Sequence, residues 1–150
     1  MQRRRWLGFS VIGVVLLAVV VPGLLSTTSD DYRATAVTSA RDAASAALTA
    51  STAGRASVDD RMISTYTSAV LTDARGGVAT AIDDLVGLDV PDRSAQGVRD
   101  EVLPLLVRAA SLIGDVTEAA DRDDHQALST AAKELGAVGA RLREFAGSHR

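Results

Sequence analysis

The chain has 150 residues, a formal net charge of −3, 3% aromatic residues and no cysteine. That length suits one ordinary domain. The acidic, aromatic-poor balance argues against nucleic acid, whose phosphates require clustered Lys and Arg, and against stacking on bases or sugars. Without cysteine there is no disulfide framework and no lipidated thiol, so stability has to come from packing.

Leu7 to Ser26 is a run of 20 residues without a charge, which at about 1.5 Å per residue matches the roughly 30 Å of a bilayer core. Arg3, Arg4 and Arg5 precede it, and Asp30 and Asp31 follow. Arginines beside a span stay on the cytoplasmic side, and Trp6 falls at head-group level. The expectation is a signal-anchor over residues 1–26, N-terminus inside, and an extracytoplasmic domain over residues 27–150. A cleaved signal peptide is the competing reading, giving a secreted domain of the same orientation. The nearest Ala-x-Ala match, Ala34-Thr35-Ala36, lies well past the apolar run and beyond two aspartates, so the uncleaved anchor is preferred. Pro22-Gly23 is compatible with a membrane helix. Without Arg3, Arg4 and Arg5 the charge of −3 becomes −6 for the exterior part.

Four helices are expected outside. The first, Asp30–Ala53, carries a shallow face of Ala36/Val37, Ala40, Ala43/Ala44 and Ala47/Leu48, suited to close packing; it either runs on from the membrane segment or breaks at Ser26–Ser29. Gly54 is expected to stop it, and Ser57 with Asp60 resembles a capping box for the next. That second helix is predicted from about Val58 to Gly87, with Ile63, Tyr66, Val70, Ala74, Gly77/Val78, Ala81/Ile82, Leu85 and Leu88 as its apolar positions and Gly76-Gly77 as a weak point. Leu88–Asp92 is a connection, because Pro91 cannot continue a helix and Asp92 or Ser94 can cap one. The third helix shows Val98, Val102, Leu105/Leu106, Ala109, Leu112/Ile113, Val116 and Ala119/Ala120. Pro104 sits in its register, so either the helix kinks there or an irregular start gives way to helix near Asp100. Asp121–Asp124 makes a turn and cap, and Leu128, Ala131/Ala132, Leu135, Val138, Leu142 and Phe145 line the last helix, ending at Gly147. Short polar connections between four helices predict an all-α fold, an N-terminal transmembrane helix followed by an antiparallel four-helix bundle.

The basic set, fifteen arginines and Lys133 alone, together with abundant Ala, Val, Asp and Thr, looks actinobacterial in composition. The succession Leu88-Asp89-Val90-Pro91, a Val98–Ala120 helix, Ala120-Asp121-Arg122-Asp123-Asp124 and a Leu128–Phe145 helix resembles the helical hairpins of membrane-anchored or secreted envelope proteins of actinobacteria. The resemblance covers the second half of the chain and brings no catalytic residues with it. An anchor followed by a four-helix domain is also similar to chemoreceptor and histidine-kinase sensor regions. Those return through the membrane to a cytoplasmic output, and here the C-terminus is expected outside.

Candidate chemistry is sparse. His149 is expected to be an inert terminal residue. His125 follows Asp121 by four residues, so His125 with Asp121 or Asp124 is the one arrangement suggesting a weakly held divalent cation; solvated capping is the preferred account, since zinc sites gather several His or Cys and di-iron bundles use Glu-x-x-His pairs. The pairs Asp30-Asp31, Asp59-Asp60, Asp83-Asp84 and Asp123-Asp124 point about 100° apart on a helix, so none clamps an ion by itself. Three of them fall at expected helix starts, where acids favour the dipole. There is no Gly-x-Ser-x-Gly elbow. No catalytic residue, metal or cofactor is expected. The expected function is binding: an accessory partner in a cell-envelope assembly, held to the bilayer by its N-terminal helix. A small-molecule or cation-binding module that opens at Pro104 or Gly76-Gly77 is the alternative. A homodimer through the Ala-rich first helix is a further expectation.

Overall fold

The computed structural model describes residues 27–59 and 64–149. Those residues form four helices and no strand: α1 (Ser29–Val58), α2 (Ser64–Val86), α3 (Arg93–Asp121) and α4 (His125–Ser148). They make a helical bundle, and specific contacts give its directions. Ser51 of α1 donates to the Ala132 carbonyl of α4 at 2.6 Å while Leu48 abuts Gly139, so α1 and α4 run oppositely. Tyr66 shares a groove with Thr52 while Gly77 faces Ala46, so α2 also opposes α1. Ser29 meets Asp92 and Gly54 meets Val116, so α1 and α3 run together. Within the bundle α1 and α3 touch across the middle, and α2 and α4 are held apart.

Alanine explains the central place of α1. Ala36, Ala40, Ala43, Ala44, Ala47, Ala50 and Ala53 are all buried, and each lets a neighbouring helix come close. The larger apolar area comes from outside α1: Leu71, Val78 and Leu85 on α2, Val102, Leu106, Leu112 and Ile113 on α3, and Leu135, Leu142 and Phe145 on α4. The approach is closest against α4. A Cβ on Gly139 would lie 2.9 Å from the Leu48 Cγ, and one on Gly136 would lie 2.9 Å from the Ser51 Oγ.

Capping sets the helix starts. Thr28 and Asp31 form a reciprocal box at the head of α1, so the helix begins at Ser29 after an extended Thr28 and the chain breaks at the Ser/Thr cluster. Asp92 accepts from the Ala95 amide at 2.9 Å and Asp124 from the Ala127 amide at 3.0 Å. Asp123, the residue of the α3–α4 turn with a positive φ of 54°, reverses the chain between them.

Several expectations are corrected. Gly54 does not end α1; it is buried, where a Cβ would stand 3.1 Å from the Ala132 Cβ, and the helix continues to Val58. A glycine inside a helix stops nothing when close packing requires its missing side chain. Ser57 is therefore helical, Asp59 caps the end of α1, and α2 is described from Ser64. The inward face of α2 begins on Thr67 and Leu71; Tyr66 is 60% exposed and Val70 is half-buried. Both stripes carry apolar residues and share Ala74, so periodicity alone does not separate them. Gly76-Gly77 lies inside an unbroken helix, as expected. α3 is continuous from Arg93 through Pro104, so the irregular start near Asp100 does not occur. The inward residues expected for α4 are all buried. The proposed anchor Arg3–Ser26 and Ile63 lie outside the described residues; no helix among the described residues is long and apolar enough to cross a membrane.

The two kinds of glycine make opposite predictions. Gly76 has nothing within 4 Å of an added Cβ, so Gly76→Ala is expected to stabilise by about 1 kcal/mol through helix propensity. Gly139→Val is expected to destabilise by about 1–3 kcal/mol through overpacking against Leu48. Chemical unfolding followed by circular dichroism measures both. The buried hydroxyls of Tyr32 and Thr67 have no hydrogen-bond partner among the described residues. Tyr32→Phe and Thr67→Val should therefore hold or raise stability, by up to about 1 kcal/mol each; a loss of that size in the same assay would show that these hydroxyls are satisfied.

Candidate functional site

The residues singled out for metal binding do not share a helix face. Asp121 is the last residue of α3, Arg122 caps it, Asp123 takes the left-handed turn, and His125 is the first residue of α4. The four-residue spacing that would stack His125 on Asp121 needs continuous helix, and the helix is interrupted between them. The carboxylate of Asp124 is engaged as an N-cap. Among the described residues no group of three or more His, Cys, Asp or Glu side chains is arranged to hold a metal ion. Asp83 and Asp84 are both exposed in the middle of α2, Asp30 and Asp31 open α1, and Asp59 closes it rather than opening α2.

At the end of the bundle where α1 and α3 begin, side chains of several elements are joined. The Ser29 hydroxyl donates to Asp92, tying the two N-termini, while Asp92 also caps α3. Arg33 reaches Ser94 at 3.5 Å and Asp30 at 3.7 Å. Hydrogen bonds lower two carboxyls here: the Thr28 hydroxyl, then the Thr28 amide, hold Asp31 below its ordinary 3.8, and the Ser29 hydroxyl, then the Ala95 amide, do the same for Asp92. Tyr32 is wholly buried beside them, and burial pushes its hydroxyl above the usual value, with Arg99 opposing the shift and Asp100 adding to it.

His149 belongs to this end too, contrary to the expectation of an inert terminus. It is the C-cap of α4, its ring stacks on Phe145 at 4.3 Å between centroids, its Nδ1 lies 3.1 Å from the Phe145 carbonyl, and its Nε2 is 3.5 Å from a Glu101 carboxylate oxygen on α3. The sequence signal was available: Phe145 and His149 are spaced i, i+4, which places them on one face.

Open grooves shape the remaining surface of the described residues. Between α3 and α4 a groove of about 500 Å³ is lined by Arg108, Glu134, Asp115, Gln126 and Thr130. Arg108 pairs with Glu134 at 2.6 Å, and both side chains are half-exposed, so the pair contributes at most about 1 kcal/mol. On α1, where α2 and α4 stand apart, Leu48, Thr49, Thr52, Tyr66, Val70 and Arg143 border another groove. A third surface follows the α2–α3 seam, where Val86 and Val107 are 51% and 53% exposed beside the partly buried Ile82 and Leu103. These residues extend the apolar stripes of α2 and α3 beyond the width one core requires. Such surfaces are suited to docking by shape and apolar contact.

The lowered carboxyls define an acid response. A folded-state value below 3.8 means that Asp31 and Asp92 contribute stability fully present above pH 3.8 and lost as pH falls through the lowered values. Melting temperature should therefore fall below about pH 4. Asp92→Asn, which can still cap α3, should make that fall shallower while leaving neutral-pH helicity unchanged; an unaltered acid limb in thermal melts from pH 7 to pH 2.5 would disprove the assignment. Comparison of the chain with protein-family models, with curated proteins and with solved structures finds no match.

Proposed function

We propose that this chain is a single-pass membrane protein whose helical bundle stands outside the cytoplasm and acts by binding, as an accessory partner in a cell-envelope assembly. The observation that carries the reading is the position of α1 relative to the apolar run. Leu7–Ser26 is long enough for a bilayer core, and only Thr27 and Thr28 separate it from the first residue of α1. A tether of two residues keeps the capped end of the bundle, with Ser29, Asp92 and Arg33, close to the head groups. The opposite end and the grooves along the sides are then the parts presented to partners. Arg3, Arg4 and Arg5 support the orientation, and the resemblance of the second half to actinobacterial envelope proteins supports the setting. Docking through open grooves and an exposed apolar seam fits an accessory role, in which a bundle positions or stabilises another protein and performs no chemistry of its own.

The absence of cysteine makes the topology directly measurable. Ser129 is exposed on α4, so Ser129→Cys gives a single reactive thiol. In intact cells a membrane-impermeant maleimide is expected to label it, and the labelled protein should remain with membranes through high-salt and alkaline washes. Labelling only after permeabilisation would reverse the orientation. Release by salt alone, or a labelled product of reduced mass in the medium, would replace the anchor with peripheral binding or with secretion.

A further inference from the structure

We infer that the α2–α3 seam is a twofold interface at which a second copy of this chain docks with its helices antiparallel to the first. The placement of the residues comes from three contacts. Gly77 faces Ala46, Gly54 faces Val116, and Arg75 reaches over Gly114, with its Nη2 3.4 Å from where a Cβ would stand. These contacts bring Ile82 level with Leu103 along the bundle axis, with Val86 toward the capped end and Val107 toward the other. Two of the three large apolar side chains exposed on the described surface, Val86 and Val107, thus lie on this one strip. Ile82 and Leu103, partly buried against the core, fill it in between.

Charge identifies the occupant. Arg75 stands at one end of the strip, and Asp83 and Asp100 stand at the other; all three are exposed, and none makes an ion pair within the described chain. Arg99, the other cation near the acidic end, lies by Tyr32. Arg75 and Asp83 are eight residues apart on α2, about 12 Å along the helix. A twofold axis crossing the strip between Ala79 and Val107 superposes Arg75 of one copy on Asp83 and Asp100 of the other, twice, while Val107 meets Val107 at the centre. A surface with a cation at one end, acids toward the other and Val107, Ile82 and Leu103 between is complementary to itself under that rotation, the condition for an isologous dimer. An unrelated partner needs no such self-matching. The expected dimer through the Ala-rich first helix has less surface to use, because most alanines of α1, from Ala36 and Ala40 to Ala50 and Ala53, are buried inside the bundle.

The test uses the full chain in detergent or in lipid nanodiscs. Val107→Cys is expected to form a disulfide-linked dimer on mild oxidation at least tenfold faster than Ser129→Cys on α4. Arg75→Glu should weaken self-association at least tenfold in sedimentation, Asp83→Arg with Asp100→Arg should do the same, and combining all three changes should restore the dimer. Circular dichroism checks that each surface variant keeps its helicity. A chain that is monomeric at high concentration overturns the inference. So does a dimer indifferent to Arg75→Glu, as association through residues 1–26 alone would produce, or one that cross-links as readily at position 129.

Discussion

The bundle depends on how closely α1 and α4 approach. Gly136 and Gly139 on α4 lie against Ser51 and Leu48 on α1, and Gly54 on α1 lies against Ala132 and Val116, with distances that leave no room for a methyl group without a neighbour moving. The Ser51 hydroxyl uses that proximity to donate to a backbone carbonyl on α4. α1 touches all three other helices, so its slenderness determines how near they come to each other. A helix of alanine buries little apolar surface per residue. Its contribution is to let the Leu, Val, Ile and Phe side chains of α2, α3 and α4 close over a common interior.

The same geometry explains the surface. With α1 and α3 in contact across the middle, α2 and α4 are separated, and the cross-section is a rhombus rather than a square. Shallow grooves run along its sides, and the α2–α3 edge has more apolar residues than the interior can take in. The chemistry presented there is shape, apolar contact and a few charges, which is the chemistry of association.

The two ends of the bundle differ in kind. Where α1 and α3 begin, hydroxyls and carboxylates satisfy the exposed amides and link the helices through Ser29 and Asp92, and the His149 ring at the end of α4 lies 3.5 Å from Glu101 of α3. At the other end the α3–α4 turn rests on Asp123 in a left-handed conformation and on the Asp124 cap. If residues 1–26 anchor the chain, the end joined through Ser29 and Asp92 is the one beside the bilayer.

The sequence by itself determined the all-helical class, the connections at Leu88–Asp92 and Asp121–Asp124, and the buried faces of α3 and α4. In those helices large apolar residues recur at three- and four-residue spacing with polar residues between, so one face has no competitor. It also carried the caps at Asp92 and Asp124, because capping is a contact between residues three apart, whereas the same spacing at Ser57 and Asp60 marked no helix start. Only the tertiary structure decided that Gly54 lies inside a helix rather than at its end, since a glycine breaks a helix or lets another approach it according to what stands opposite. Tertiary contacts likewise chose Thr67 and Leu71 over Tyr66 and Val70, where two apolar stripes overlap and the positions of α1 and α3 select between them. The approach of His149 to Glu101 was beyond local reading for the same reason: it depends on where a neighbouring helix puts a side chain, and spacing along the sequence does not contain that information.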